Sequence, residues 1–412
     1  MKLKLIILLL LFASHLIAQT TNGDIEDYIG AIIDNAPGNL GDDYSEPSLS
    51  QLTTWNTTID YLLTDNLTSA RSTVNGLNYQ ITEFTDTSIT PNQVFYVLEE
   101  KSPQSKYWGT YVFSKTSTRN NLIIQAPHSK YDTNTGKQAV YCFKNTVAKA
   151  LFINGTHRCN SDDFSSCSGT TSVCGSSDSY RKSDLAHNVH SVFQKTTENL
   201  FIAISNSVFI QLHGFGKKTT DPYVIMSNGT RETPATDYAT QIKDALLVED
   251  SSLTFKLAHI DTDWTRLIGF TNTQGRLINN SADFCLTSAS TTSGRFVHIE
   301  QEKSKLRNNE AGWNKMSNAL ASVFESTLST DNYNLDHQIS VYPNPTKSGI
   351  TIKGTDINSI EIYNTLGQQI ELLKNSSNAP TLKIDLKPFS KGIYHLKINS
   401  TSGIASKKII YL

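Results

Sequence analysis

The sequence predicts a mixed α/β chain: a largely parallel sheet flanked by helices, followed by a small carboxyl-terminal β-sandwich. Three observations carry this. Between Tyr107 and Leu320, apolar strand-like runs alternate with helical periodicities, the pattern of strands joined by helical crossovers. From Ile339 onward the pattern shortens to period-two alternation broken by turn residues. The opening residues stand apart as an apolar leader.

That leader is "MKLKLIILLLLFASHLIAQT". Two lysines precede the apolar run Leu5 to Phe12, and Ala18 offers a small residue for cleavage, so residues 1–18 read as a signal peptide. No other run reaches the roughly 18–20 apolar residues that a transmembrane helix needs. The chain has 412 residues and a formal net charge of −2, with Lys and Arg dispersed. No concentrated basic face for nucleic acid is expected.

Residues 19–100 form an amino-terminal extension without a chemical motif, suited to a lid, a substrate platform or an inhibitory segment. Its clearest helical stretch is "WNTTIDYLL" (Trp55 to Leu63). "QVFYVLEEK" and "YWGTYVFSK" predict an antiparallel pair around "SPQS". "NLIIQAP" (Asn121 to Pro127) reads as a buried strand. "TGKQAVYCFKNTVA" reads as a helix with Ala139, Cys142, Phe143 and Val147 on one face. "KALFING" is the next strand. "SDLAHNVHSVFQKTTENL" predicts a helix capped by Ser183, with Leu185, Val189, Val192 and Phe193 as its apolar stripe. "VFIQLHG", "TFKLAHID" and "GRFVHIEQE" follow as strands, and "TDYATQIKDALL" as a helix. Among the five cysteines, Cys159, Cys167 and Cys174 sit in a Ser/Gly-rich stretch where a local disulfide would staple a loop. The spacing does not fix the pairing, and Cys142 falls mid-helix. The expected domains are 19–325 for the α/β unit, 326–338 for a linker and 339–412 for the sandwich.

The last segment contains "VYPNP" (Val341 to Pro345), "IYNTLGQ" (Ile362 to Gln368), "GIYHLKI" (Gly392 to Ile398) and a terminal "KKIIYL". With these motifs in this order it resembles the type A sorting domain of the type IX secretion system. The resemblance implies engagement with that machinery and passage across the outer membrane of a Gram-negative bacterium. The protein would then be secreted or held at the cell surface, with the chemistry lying upstream.

In parallel sheets, ligands bind beyond the carboxyl ends of the strands. "NLIIQAP" ends in His128 and Asp132, "VFIQL" in His213, "GRFVHI" in Glu300, and "KALFING" in His157 and Arg158. His128, Asp132 and His213 could supply the three N and O donors of one catalytic zinc ion. Zinc lowers the pKa of bound water to about 7, and Glu300 is the expected general base. Arg158 could grip a substrate carboxylate bidentately, with His157, His187 and Arg307 as further substrate contacts. Each has a plainer reading. His128 can be a loop histidine, Asp132 a turn residue in "YDTNTG", and His213 a structural histidine; Glu302 and His298 rival Glu300. His187 and His190, three apart, share a face if their segment is helical, and His259 reads as structural. GxSxG, HExxH and Walker-type loops are absent.

"APHSKYDTNTG", "THR", "DLAHN", "QLHGFG" and "HIEQEKSKLR" together resemble the zinc carboxypeptidase-like group, which includes N-formylglutamate amidohydrolases and poly-γ-glutamate hydrolases. The resemblance spans Tyr107 to Leu320. It implies a phosphorylase/hydrolase-like sheet, one zinc ion and cleavage of an amide or peptide bond in a peptide or N-acyl amino acid. Where that group has His-x-x-Glu, this chain has His-x-x-x-Asp. Asp132 is therefore either a ligand or a partner of His128, in which case His157 or Asp184 would complete the set. A metal-dependent esterase and a non-catalytic surface binding or adhesion protein on the same scaffold are the alternatives.

Overall fold

Ten strands form one sheet in the first of two units that divide the chain, Met1–Thr327 and Leu328–Leu412. The computed structural model describes residues 20–325, 339–375, 377, 379–400 and 403–412. The expected signal peptide and linker lie outside the described residues. The sheet strands are β1 (Thr20–Gly23), β2 (Tyr79–Asp86), β3 (Gln93–Glu100), β4 (Thr110–Ser114), β5 (Arg119–Ala126), β6 (Ala148–Ile153), β9 (Val208–Phe215), β10 (Val224–Ser227), β11 (Phe255–Leu257) and β12 (Phe296–Glu302). A separate two-stranded ribbon pairs β7 (Thr170–Thr171) with β8 (Asp178–Ser179). The sheet order is β1-β2-β3-β4-β6-β5-β9-β12-β10-β11. Its centre, β6-β5-β9-β12, is parallel, and antiparallel pairings flank that block at β4 and β10.

Alternation along the strands divides the apolar residues between two cores. On β9, Phe209 faces one core while Ile210 and Leu212 face the other. One face is covered by α1 (Ile25–Asn35), α4 (Thr135–Thr146), α6 (Tyr238–Glu249) and α8 (Glu310–Val323). The other carries α2 (Leu49–Leu63), α3 (Leu67–Asn75), α5 (Val192–Ala203) and α7 (Thr273–Ile278). With a sheet buried on both faces, the central strands read as continuous apolar runs.

The amino-terminal extension is part of this fold. Its strands β1 to β3 extend the sheet, Trp55 of α2 packs on Tyr79, Trp108 and Tyr111, and Ile25 and Ile29 of α1 join the first core. That burial corrects the expectation of a lid or an inhibitory segment. The helix expected from Ser183 is also shorter. Leu185–His187 makes a single 3-10 turn, Asn188 is extended, and α5 starts at Val192 because the Ser191 side chain accepts from Gln194 N–H. The cysteines pair as Cys159–Cys174 and Cys167–Cys285, leaving Cys142 buried and free. One bond is therefore local and the other joins segments 118 residues apart.

In the second unit, β13 (Ser340–Tyr342), β14 (Gly349–Lys353) and β17 (Thr381–Asp385) form one sheet. The strands β15 (Ile357–Tyr363), β16 (Gln369–Lys374), β18 (Gly392–Ser400) and β19 (Gly403–Tyr411) form another. Ile350 and Ile384 of the first meet Ile360, Leu396 and Ile398 of the second in a common core, as in a sandwich. Gly367, at φ +77°, turns the β15–β16 connection.

Candidate metal centre

The carboxyl ends of β5, β6, β9 and β12 lie along one rim of the sheet. His128 follows β5 in a single helical turn, in which Asp132 N–H donates to His128 C=O at 2.9 Å. A four-residue spacing in such a turn brings the two side chains onto one face. Asp132 Oδ2 lies 3.3 Å from His128 Nδ1 and 3.6 Å from His213 Nδ1, and the two Nδ1 atoms are 3.0 Å apart. His213 comes from β9, whose next residue, Gly214, donates its N–H to Asp132 Oδ2 at 3.0 Å. All three side chains are buried.

Each ring has its outer nitrogen committed. His128 Nε2 lies 2.9 Å from Asp184 Oδ1, and His213 Nε2 lies 2.7 Å from Gln211 Oε1. Gln211 cannot turn its amide around without losing other bonds, because its Nε2 donates to Gln125 and Gln274 and its Oε1 accepts from Asn272. With Nε2–H donated in both rings, both Nδ1 lone pairs face the same point. His128 Nδ1 already has Arg158 Nη1 at 3.2 Å, and the His213 Nδ1 lone pair faces it at 3.0 Å, an approach that a shared proton or a cation would relieve. Donors about 2.0–2.1 Å from a tetrahedral zinc are separated by roughly 3.3–3.4 Å. The observed 3.0, 3.3 and 3.6 Å bracket that value. The donor set therefore fits a zinc ion, with an oriented partner behind each histidine.

Glu300 stands beside His213 in register, β12 against β9, and His298 beside Gln211. His213, His298 and Glu300 offer ligand atoms all within 4.8 Å of one another. His298 Nδ1 and Glu300 Oε2 are buried without a partner among the described residues. Such atoms call for water, substrate or an ion. His298 is seated by Gly269, at φ +66°, where a Cβ would meet the imidazole at 2.9 Å.

Of the expected substrate contacts, Arg158 and His187 line the cavity over this centre, which has a volume of about 470 Å³. His187 stacks on Tyr180 at 3.6 Å and its Nδ1 lies 3.0 Å from Thr271 C=O; His190 is exposed, so the two do not share a face. Arg158 differs from the expectation. Its Nε and Nη2 are both held by Asp184 Oδ2, and Nη1 lies 3.2 Å from His128 Nδ1, which removes the free fork a bidentate grip requires. His157 and Arg307 do not line the cavity. His157 accepts from Cys159 N–H at 3.1 Å and sets its ring against Tyr131. Arg307 spends its guanidinium on the carbonyls of Gln301, Thr133 and Phe215. His259 pairs with Asp237 at 2.8 Å, away from this centre.

Residues 340–411 match the family described as secretion system C-terminal sorting domain. This segment is that domain. The sorting domain makes the chain a secreted or cell-surface bacterial protein and implies engagement with the type IX secretion machinery. A comparison with curated proteins finds no match. Among solved structures, the chain is similar to three proteins provisionally described as metallopeptidases. The protein from Shewanella amazonensis is 12% identical, with 65% of this chain and 92% of the other covered and a TM-score of 0.29. For that from Shewanella denitrificans the values are 11%, 66%, 90% and 0.27. For that from Shewanella baltica they are 14%, 65%, 91% and 0.27. Likenesses this slight carry no argument, and the chemistry upstream of the sorting domain rests on the site's own geometry.

The electrostatics separate the carboxyl groups. Burial works to raise Asp132, but the facing His128 and His213 outweigh it and hold the group well below the usual carboxylate range. Burial likewise opposes ionisation of Asp184, and Arg158 and His128 overcome it. Glu300 goes the other way: burial, then the charge of Asp132, push it up to about 8. Burial draws His213 down to about 4 and His187 to about 3, leaving both neutral near pH 7. Two anionic carboxylates thus serve the histidines, while a third, at the cavity wall, is poised to exchange a proton.

Proposed function

We propose that this protein is an exported, zinc-dependent hydrolase that cleaves an amide or peptide bond with Glu300 as general base. The observation that carries the reading is the pair of histidine Nδ1 atoms 3.0 Å apart, with Asp132 as third donor and both Nε2 atoms committed elsewhere. His128, Asp132 and His213 would hold the ion. Bound there, zinc would acidify a water molecule and polarise a carbonyl. Glu300 would serve as the proton carrier, accepting a proton at its carboxylate and passing it to a leaving amine. Burial and the charge of Asp132 push Glu300 up to about 8; a cation held by the adjacent donors would lower it toward the range a base needs near neutral pH. Arg158 Nη1, beside His128 Nδ1, is placed to meet an oxygen that gains negative charge. Asp184 and Gln211 hold the imidazoles in the tautomer that leaves a lone pair on each Nδ1, the one on His128 shared with Arg158 Nη1.

The test is metal content of the purified chain beside His128→Ala and His213→Ala, followed by hydrolysis of peptides and N-acyl amino acids. About one zinc per chain, lost in both variants together with amide cleavage, is the expected result. A wild-type chain that takes up no zinc would sink the proposal.

A further inference from the structure

The cavity has a chemical character that the metal centre alone does not dictate. Its far wall comes from two loops, one bearing the β7–β8 ribbon with Val173 and the other bearing Leu267, Ile268 and Phe270. The wall is uncharged, its apolar side chains interspersed with Thr170, Thr171, Thr265 and Thr271. Among the described residues that line the cavity, Arg158 is the only Lys or Arg, and Asp184 neutralises it. The nearby arginines are engaged outside it. Arg276 bonds to the carbonyls of Phe270 and Cys285, Arg266 pairs with Asp221, and Arg231 bonds to the carbonyls of Ala258 and Trp264.

The two loops are fastened to each other. Cys167–Cys285 joins the segment preceding the ribbon to the chain beyond α7. Tyr180 Oη lies 2.9 Å from Thr271 Oγ1, and Ser168 Oγ donates to Leu286 C=O at 2.9 Å. Leu267 sits at φ +58°, a left-handed conformation that is unfavourable for a leucine. Such strain clusters at functional sites, and here it lies in the cavity wall.

Resting on the hydrolase reading above, we infer that the cavity selects amides whose group next to the scissile bond is uncharged and apolar, and disfavours a free carboxylate there. A carboxylate entering this cavity would shed water and find, beside the metal, only the Nη1 of an arginine that Asp184 already neutralises. It would then compete for the metal instead of presenting its amide. An uncharged aliphatic or aromatic group buries against Val173, Leu267 and Phe270 at no such cost.

The experiment uses the full chain loaded with zinc, its metal content measured first. Two monohydroxamates matched in length, one with a phenyl end and one with a carboxylate end, are titrated calorimetrically. The phenyl compound should bind at least about tenfold more tightly, and Ile268→Lys should reverse or abolish that preference by adding a cation to the wall. Thr265→Lys, at an exposed wall position, makes the same test if Ile268→Lys does not fold. Equal or tighter binding of the carboxylate compound to the wild type overturns the inference, as does failure of both to bind the zinc-loaded chain. A chain that takes up no zinc overturns the hydrolase reading itself, and the metal measurement tells that failure from the others.

Discussion

At the scale of single residues, the division between donors and base makes the sharpest claims. Glu300→Gln keeps the shape of the wall but removes the proton acceptor, so turnover should fall by about 10²–10⁴ while zinc affinity changes little. Equal loss of both would make Glu300 a ligand. In zinc-free protein the same substitution has a pH signature. Glu300 is raised to about 8 in the fold, against about 4.3 in an unfolded chain. Between these values the native state holds the extra proton, so this group lowers stability as pH rises through the window. Thermal melts should show Glu300→Gln gaining on the wild type from pH 4.5 to pH 8, and a constant difference would refute the shift. Asp184→Asn removes the anion behind His128 and should weaken zinc binding about 10–100-fold, read by chelator competition. The convergence of His128, Asp132, His213 and Glu300 on one rim was legible from sequence because each stands at or just beyond a strand end. Asp184 entered only as an alternative and Gln211 not at all. Their roles depend on contacts, such as His128 to Asp184 across 56 positions, that no local pattern encodes.

At the scale of elements, the register of β9 against β12 sets the site. Glu300 sits opposite His213 and His298 opposite Gln211, so a one-residue slip of β12 would turn Glu300 and His298 to the other face. Arg307 helps hold that register by binding carbonyls of β9, β12 and the segment before α4. A Cβ at Gly214 would meet the Arg307 guanidinium at 2.2 Å, and Gly214 N–H also bonds Asp132. Gly214→Ala should therefore cost about 1–3 kcal/mol in denaturant unfolding and weaken zinc binding as well. An unchanged midpoint would mean that Arg307 moves aside freely. The central strands and α4 were legible because their apolar periodicity is strong. The helix expected from Ser183 was misread because its apolar spacing is helical, yet Asp184 turns its carboxylate to His128 and Arg158 while Ser191 supplies the cap. Site geometry overrode the local signal there.

At the scale of the molecule, cysteine chemistry links the export signal to the cavity. An exported chain meets an oxidising compartment, and the sequence's odd cysteine count resolves into two disulfides and one thiol. Residue spacing pointed to a local bond and hid Cys167–Cys285, which only the converging loops reveal. That bond closes a loop of 118 positions, for which chain entropy alone predicts a stabilisation of about 4–5 kcal/mol. It also ties the segment before the β7–β8 ribbon to the chain beyond α7, whereas the proposed zinc donors sit on β9 and the turn after β5, on neither segment. Cys142 is enclosed by its helix and the adjacent core, and burial pushes its thiol up, so it lacks the thiolate that reagents attack. The native chain should therefore show no reactive thiol, one after denaturation and five after reduction as well. Mild reduction should lower the melting temperature by roughly 5–10 °C and loosen ligand selectivity before zinc is lost. If zinc left first, the loops rather than the sheet rim would be holding the metal centre together.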